Sequence, residues 1–140
     1  MRILKILLAV LFIQLTISCS KSTTQLSLAG NWKVTSAVGN DNRQWNGTFT
    51  LAREGNSNAY TGLFLWNTID NQATGTDSIT GTYNPDTKVL VMQSVVISGN
   101  IESVLYTMDV TDNGTKMTGI WTGSSDGTVA HPGRWSAEKQ

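Results

Sequence analysis

One cysteine, one histidine and two prolines in 140 residues leave this chain short of the groups that most enzyme and metal chemistry uses. A single cysteine excludes an intrachain disulfide, so stability has to come from core packing. The lone histidine, His131, stands in a polar stretch before Pro132 and reads as a solvated loop residue rather than a general base. Metal ligation needs clustered His, Cys or carboxylates, and the ten carboxylates are scattered. Asp41, Asp70, Asp86, Asp112 and Asp126 fall in turn-like stretches, where aspartate favours turn geometry. Charged residues make up 14% of the chain and sum to zero formal charge, against about 25% in ordinary soluble domains. Such a chain has no basic surplus with which to hold nucleic acid. Long apolar runs are missing too: the longest is well short of the roughly 20 residues that a spanning helix needs. The expectation is a chain that is not an enzyme and uses neither a metal nor a cofactor.

The apolar run that does exist opens the chain. Arg2 and Lys5 form a short positive region, Ile6–Ile13 is apolar, and Leu15-Thr16-Ile17-Ser18-Cys19 ends it with a small residue before the only cysteine. Charge, a run of that length and a small-residue junction describe a secretory signal over residues 1–18. The junction resembles that of bacterial lipoproteins, with Thr16 where leucine is commonest. The resemblance implies lipidation at Cys19 and a membrane anchor. Ser20 and Lys21 follow, with no aspartate beside the cysteine, so the implied location is the outer membrane, facing the periplasm or the cell surface. Without Arg2 and Lys5 the mature chain carries eight basic and ten acidic residues, a formal charge of −2. Residues 19–27 read as lipidated cysteine and tether, and residues 28–140 as one domain.

Glycine and aromatics recur together in that domain. Gly30-Asn31-Trp32, Gly47-Thr48-Phe49, Gly62-Leu63-Phe64, Gly81-Thr82-Tyr83, Gly119-Ile120-Trp121 and Gly133-Arg134-Trp135 repeat one pattern six times. Residues two apart on a strand share a face, so each glycine lies beside its aromatic. Strand glycines recur where a barrel bends or something packs closely. Eight extended segments follow: Asn31–Val38, with Trp32, Val34 and Ser36 on one face, then Gly47–Glu54, Ala59–Asn67, Asp77–Tyr83, Lys88–Ser98, Ile101–Thr111, Thr115–Gly123 and Gly133–Glu138. Asn84-Pro85-Asp86-Thr87 and Asp112-Asn113-Gly114-Thr115 are turns, and Ser98-Gly99-Asn100 reads as a tight hairpin. Short connections between sequential strands predict an all-β fold, an eight-stranded antiparallel up-and-down β-barrel, rather than a two-sheet sandwich.

These residues resemble the calycin superfamily of lipocalins, fatty-acid-binding proteins and avidins. Gly30-Asn31-Trp32 opens the domain as a lipocalin's first strand opens, and Arg134 stands where lipocalins place an arginine across that tryptophan. The resemblance implies that Trp32 and Arg134 close one end of the barrel. The mid-chain Thr-Asp-x-x-Tyr motif and the C-terminal helix of lipocalins are missing. Thr80-Gly81-Thr82-Tyr83 and Thr118-Gly119-Ile120-Trp121 are avidin-like repeats, yet Val34, Val38 and Pro85 replace polar biotin contacts, which argues against biotin. Arg134-Trp135-Ser136 likewise lacks the tyrosine with which fatty-acid binders hold a carboxylate.

The implied function is a small bacterial lipocalin-like lipoprotein binding a small apolar ligand in the cell envelope. Trp45, Phe64, Trp66, Tyr83, Tyr106 and Trp121 are the candidate ligand-binding residues, with core filling as the competing role. Trp45 stands out because it lies in a polar stretch, Gly39–Asn46. The long connections Gly39–Asn46, Thr68–Thr76 and Ser124–Pro132 are all odd-numbered and so share one end, the expected mouth, with His131 on its rim. Other functions open to this fold are a protein-interaction barrel, as in small protease inhibitors, and a structural envelope lipoprotein.

Overall fold

The computed structural model describes residues 26–111 and 113–140. The signal segment, Cys19 and the tether up to residue 25 lie outside the described residues. Eight strands run β1 (Gly30–Val38), β2 (Trp45–Arg53), β3 (Ala59–Thr68), β4 (Thr74–Asn84), β5 (Val89–Gly99), β6 (Leu105–Val110), β7 (Lys116–Thr122) and β8 (Gly133–Lys139). Each pairs antiparallel with its sequence neighbours, and β8 pairs back onto β1, closing the barrel. The expected up-and-down barrel is the fold observed, with every strand boundary within a few residues except at β6, which starts at Leu105.

All six aromatics of the Gly-x-aromatic repeats are buried inside. Four of them, Trp32, Phe49, Phe64 and Trp135, join Trp66 and Tyr106 in a continuous column. Trp32 stacks on Phe49 with centroids 5.7 Å apart, Phe49 on Phe64 at 4.3 Å, and Phe64 on both Trp66 and Tyr106 at 5.0 Å. Trp135 meets Phe49, Phe64, Trp66 and Tyr106 edge-on. Offset and edge-on pairs of this kind are worth about 0.5–1.5 kcal/mol each beyond the area they bury. Strand glycines make room for this interior: a side chain on Gly47 would collide with the Trp66 ring, and one on Gly133 with the Trp121 indole.

One end is sealed. Leu28 is fully buried there; its carbonyl accepts Trp32 Nε1 at 2.9 Å and its N–H donates to the Tyr60 hydroxyl at 3.2 Å. Leu26 packs over Gly114, so the described part of the tether is folded against the domain. Trp32 has a cation near its ring, but it is Lys139 Nζ, 5.9 Å from the centroid, rather than Arg134. The expectation for Arg134 is corrected by the register. In the antiparallel β1–β8 pair Trp32 lies opposite Lys139, whereas Arg134 lies opposite Val38 near the other end. Arg134 is also exposed, between the inward-facing Gly133 and Trp135.

Two further expectations change. A bulge between Val34 and Ser36 turns Ser36 outward and buries Ala37. The β5–β6 connection is not a tight hairpin at Ser98-Gly99-Asn100: β6 pairs β5 only over Val89–Gln93, and Asn100–Val104 bridges the rest.

Candidate functional site

The four odd-numbered connections, residues 39–44, 69–73, 100–104 and 123–132, share one end of the barrel. They are tied into a ring. Asn40 N–H donates to the Asp126 carbonyl at 2.7 Å, and Ile69 N–H to the Gln44 carbonyl at 3.0 Å. The Asn100 side chain donates to the Gln72 carbonyl at 2.9 Å and accepts from Thr74 N–H at 2.8 Å. Glu102 accepts from Ser125 N–H, while Glu102 N–H donates to Ser125 Oγ at 3.0 Å. Arg43 lies between Asp41 and Asp126, at 3.4 and 3.3 Å. Asp126 is pushed up, first by its hydrogen bond with Asp41 and then by partial burial and the Asp41 charge. For Asp41 the upward push of partial burial is outweighed by hydrogen bonds from Arg43 N–H and Asp126, leaving it lowered.

Beneath the ring lies a cleft of about 30 Å³, lined by Trp45, Trp66, Ile101, Glu102, Val104, Tyr106, Trp121 and Ser125. Ile101 and Val104 turn inward from the β5–β6 connection and are buried, forming the roof. Four predicted ligand residues, Trp45, Trp66, Tyr106 and Trp121, therefore meet at one place. Trp45 is not in a loop as expected: it is the first residue of β2, buried, and edge-on to Trp66 at 6.4 Å. Phe64 sits in the filled aromatic column below, fully buried. Tyr83 is corrected more sharply, because it lies beside the Pro85 turn at the sealed end, away from the mouth. His131 is exposed on the 123–132 loop.

Sequence reasoning missed the polar core of this site. Asp77 is fully buried, and its Oδ2 accepts the Ser94 hydroxyl at 2.7 Å and the Tyr106 hydroxyl at 2.8 Å. The Tyr106 hydroxyl in turn accepts Trp66 Nε1 at 3.2 Å. Oδ1 of Asp77 has no hydrogen-bond partner, and neither have the buried Nε1 atoms of Trp45 and Trp135. Burial pushes the Asp77 carboxyl above the usual carboxylate range despite the two hydroxyls that favour its charged form. Burial, and secondarily the Asp77 charge, pushes the Tyr106 hydroxyl well above its ordinary value. Strand alternation held the signal for Asp77: it shares the inward face of β4 with Gly75, Ile79, Gly81 and Tyr83. Ile101 and Val104 carried no such signal, since they were assigned to a strand rather than to a connection crossing the mouth.

Among the described residues no group of three or more His, Cys, Asp or Glu side chains is placed to hold a metal ion.

No family model and no curated protein matches the sequence. Solved structures match the fold. A redesigned β-barrel, mFAP1, bound to DFHBI superposes with a TM-score of 0.57 at 14% identity, covering 81% of this chain and 94% of that one. EF1p2_mFAP2b bound to DFHBI gives 0.58 at 14% identity over the same shares. The redesigned barrel mFAP0, bound to DFHBI, gives 0.56 at 15%, covering 81% of this chain and 98% of that chain. At these identities the likeness is one of fold.

Proposed function

We propose that this chain is a lipid-anchored envelope lipoprotein whose barrel, lipocalin-like in layout, takes a small apolar ligand at its mouth and carries out no catalysis. The observation that carries this reading is the convergence of Trp45, Trp66, Tyr106 and Trp121 on one cleft under loops tied mainly by exposed polar contacts. Apolar walls with a few placed polar groups are the usual make-up of a small-molecule site. The fold itself tolerates such use, as the barrels bound to DFHBI illustrate. The cleft as it stands has room for about one or two waters, so a ligand enters by displacing the Ile101–Val104 roof. Native mass spectrometry of the chain purified from its own host tests the reading: a retained small molecule, lost when Trp66 and Trp121 are replaced by alanine, is the expected result. A chain that carries nothing and leaves a panel of apolar probes unbound refutes it.

Anchoring belongs to the same proposal and rests on the Leu15–Cys19 junction. Cys19→Ser should move the protein from the membrane fraction to the soluble one; a wild-type chain without lipid refutes it.

A protein-interaction barrel is favoured by one observation. Beyond Ser94, β5 has no β6 partner, and Val95, Val96 and Ile97 are exposed there, near Leu63 and Leu65 on β3. Unpaired strand edges with apolar side chains are pairing sites for other chains. Light scattering of the purified chain, compared with a Val96→Lys variant, separates this reading from a monomeric carrier.

A further inference from the structure

Asp77 is unexplained by an apolar site. A carboxylate in the middle of an aromatic column is costly to keep there unless something compensates it, and the two hydroxyls that reach it both go to Oδ2. Oδ1 is left bare in the interior. The residue is not remote from the mouth. Tyr106, which holds it, lines the cleft. Two residues along the same inward face of β4, Gly75 is covered by the Ile101 side chain. Moving Ile101 outward, as ligand entry requires, uncovers the way past Gly75 toward Asp77.

Two further features of the mouth share the same preference. Its walls are four electron-rich rings, Trp45, Trp66, Tyr106 and Trp121, whose faces attract cations. Its rim loops carry four acidic residues, Asp41, Asp70, Glu102 and Asp126, against one arginine, Arg43; counting Arg134 at the foot of β8 leaves the balance acidic. An acidic rim around a low-dielectric cleft concentrates cations and repels anions.

Building on the ligand-binding reading above, we propose that the ligand is an organic cation, a protonated amine on a flat apolar body, whose ammonium group donates to Asp77 Oδ1 while its body lies among the four rings. The amine supplies the partner that Oδ1 lacks, and the rings supply the burial. A neutral ligand of the same shape would leave the carboxylate as it is.

The test uses the full chain in detergent at neutral pH, titrated by tryptophan fluorescence with three probes: 2-phenylethylamine, its neutral counterpart 2-phenylethanol, and the neutral apolar dye N-phenyl-1-naphthylamine. The amine should bind about tenfold or more tighter than the alcohol, the size of effect a charge-assisted hydrogen bond produces in a dry site. Asp77→Asn, which keeps the shape, should abolish that preference, bringing the amine-to-alcohol ratio to about one. Equal affinities in the wild type, or a preference that survives Asp77→Asn, overturn the cation inference. Binding of the dye without any amine preference overturns it and leaves the apolar-ligand reading standing, and failure of all three probes overturns both. Should Asp77→Asn not fold, Ile101→Ala decides, because it widens the way to the carboxylate. A higher amine-to-alcohol ratio there supports the proposal, and an unchanged or lower one overturns it.

Discussion

Replacing Trp32 by alanine removes the foot of the aromatic column, and the structure sets the size of the loss. The side chain is fully buried, stacks on Phe49 with an interplanar angle of 8°, and donates Nε1–H to the Leu28 carbonyl. Truncating a buried tryptophan costs about 3–5 kcal/mol. The Leu28 carbonyl, inside the seal, loses its partner and adds about 1 kcal/mol. The sum is comparable with the whole stability of a small domain, about 5–15 kcal/mol, so Trp32→Ala should be largely unfolded at 37 °C or melt far below the wild type. Trp32→Phe keeps a stacked ring and forfeits the hydrogen bond, so it should fall between them. Urea titration followed by far-ultraviolet circular dichroism measures both, with an unchanged slope confirming that the denatured state is the same. A double-mutant cycle adds the pairing: Trp32 with Lys139 should show a coupling of about 0.5–1 kcal/mol, and Trp32 with Arg134 none. A loss below about 2 kcal/mol for Trp32→Ala, or a coupling found to Arg134 instead, refutes this account of the sealed end.

Gly133→Ala should destabilise by at least about 1–3 kcal/mol, since the added methyl overlaps the Trp121 indole; thermal melting checks it, and a neutral result would mean that Trp121 is free to shift. The raised Asp77 carboxyl predicts a pH dependence. A group whose folded-state affinity for its proton is raised stabilises most at low pH, and that contribution is lost as pH rises through the folded value. Denaturant titrations from pH 3 to 8 should therefore show the wild type losing ground to Asp77→Asn as pH rises; the opposite trend would contradict the burial argument. Arg43→Ala breaks only exposed ion pairs and should change global stability by about 1 kcal/mol or less, while speeding amide exchange in residues 39–44 and 123–132.

The strands were legible because each carries period-two alternation ended by turn chemistry, and because glycine recurs beside an aromatic wherever the interior needs both bulk and space. The mouth was legible from parity alone, since alternate connections of an up-and-down barrel must share an end. Three things were not. Arg134 and Lys139 are both basic and both on the last strand; only the antiparallel register, read residue by residue, places Lys139 opposite Trp32. The bulge between Val34 and Ser36 breaks alternation without any glycine or proline to mark it. The apolar run through β5 reads as core strand, yet β6 stops short, so Val95, Val96 and Ile97 stay exposed while Ile101 and Val104 are buried at the mouth. The last is a tertiary choice between two apolar segments, and local pattern does not decide it.

That choice also fixes where the barrel can open. The sealed end is held by a buried tryptophan, a buried leucine and hydrogen bonds shielded from water. The mouth is held by exposed ion pairs, loop hydrogen bonds and two aliphatic side chains. Exposed pairs contribute little in water, so the roof over the cleft is chiefly Ile101 and Val104, whose burial is worth about 1.5–3 kcal/mol each. Of the mouth connections only Asn100–Val104 lays large apolar side chains over the cleft, so uncovering the cleft means lifting that connection at the cost of their burial. On the proposed function, a ligand entering there would take the place of Ile101 and Val104 against the rings that line the cleft. What would then decide occupancy is the polar remainder, and among the buried side-chain atoms of the described residues that lack a partner the one acceptor is Asp77 Oδ1, beside the donors Trp45 Nε1 and Trp135 Nε1.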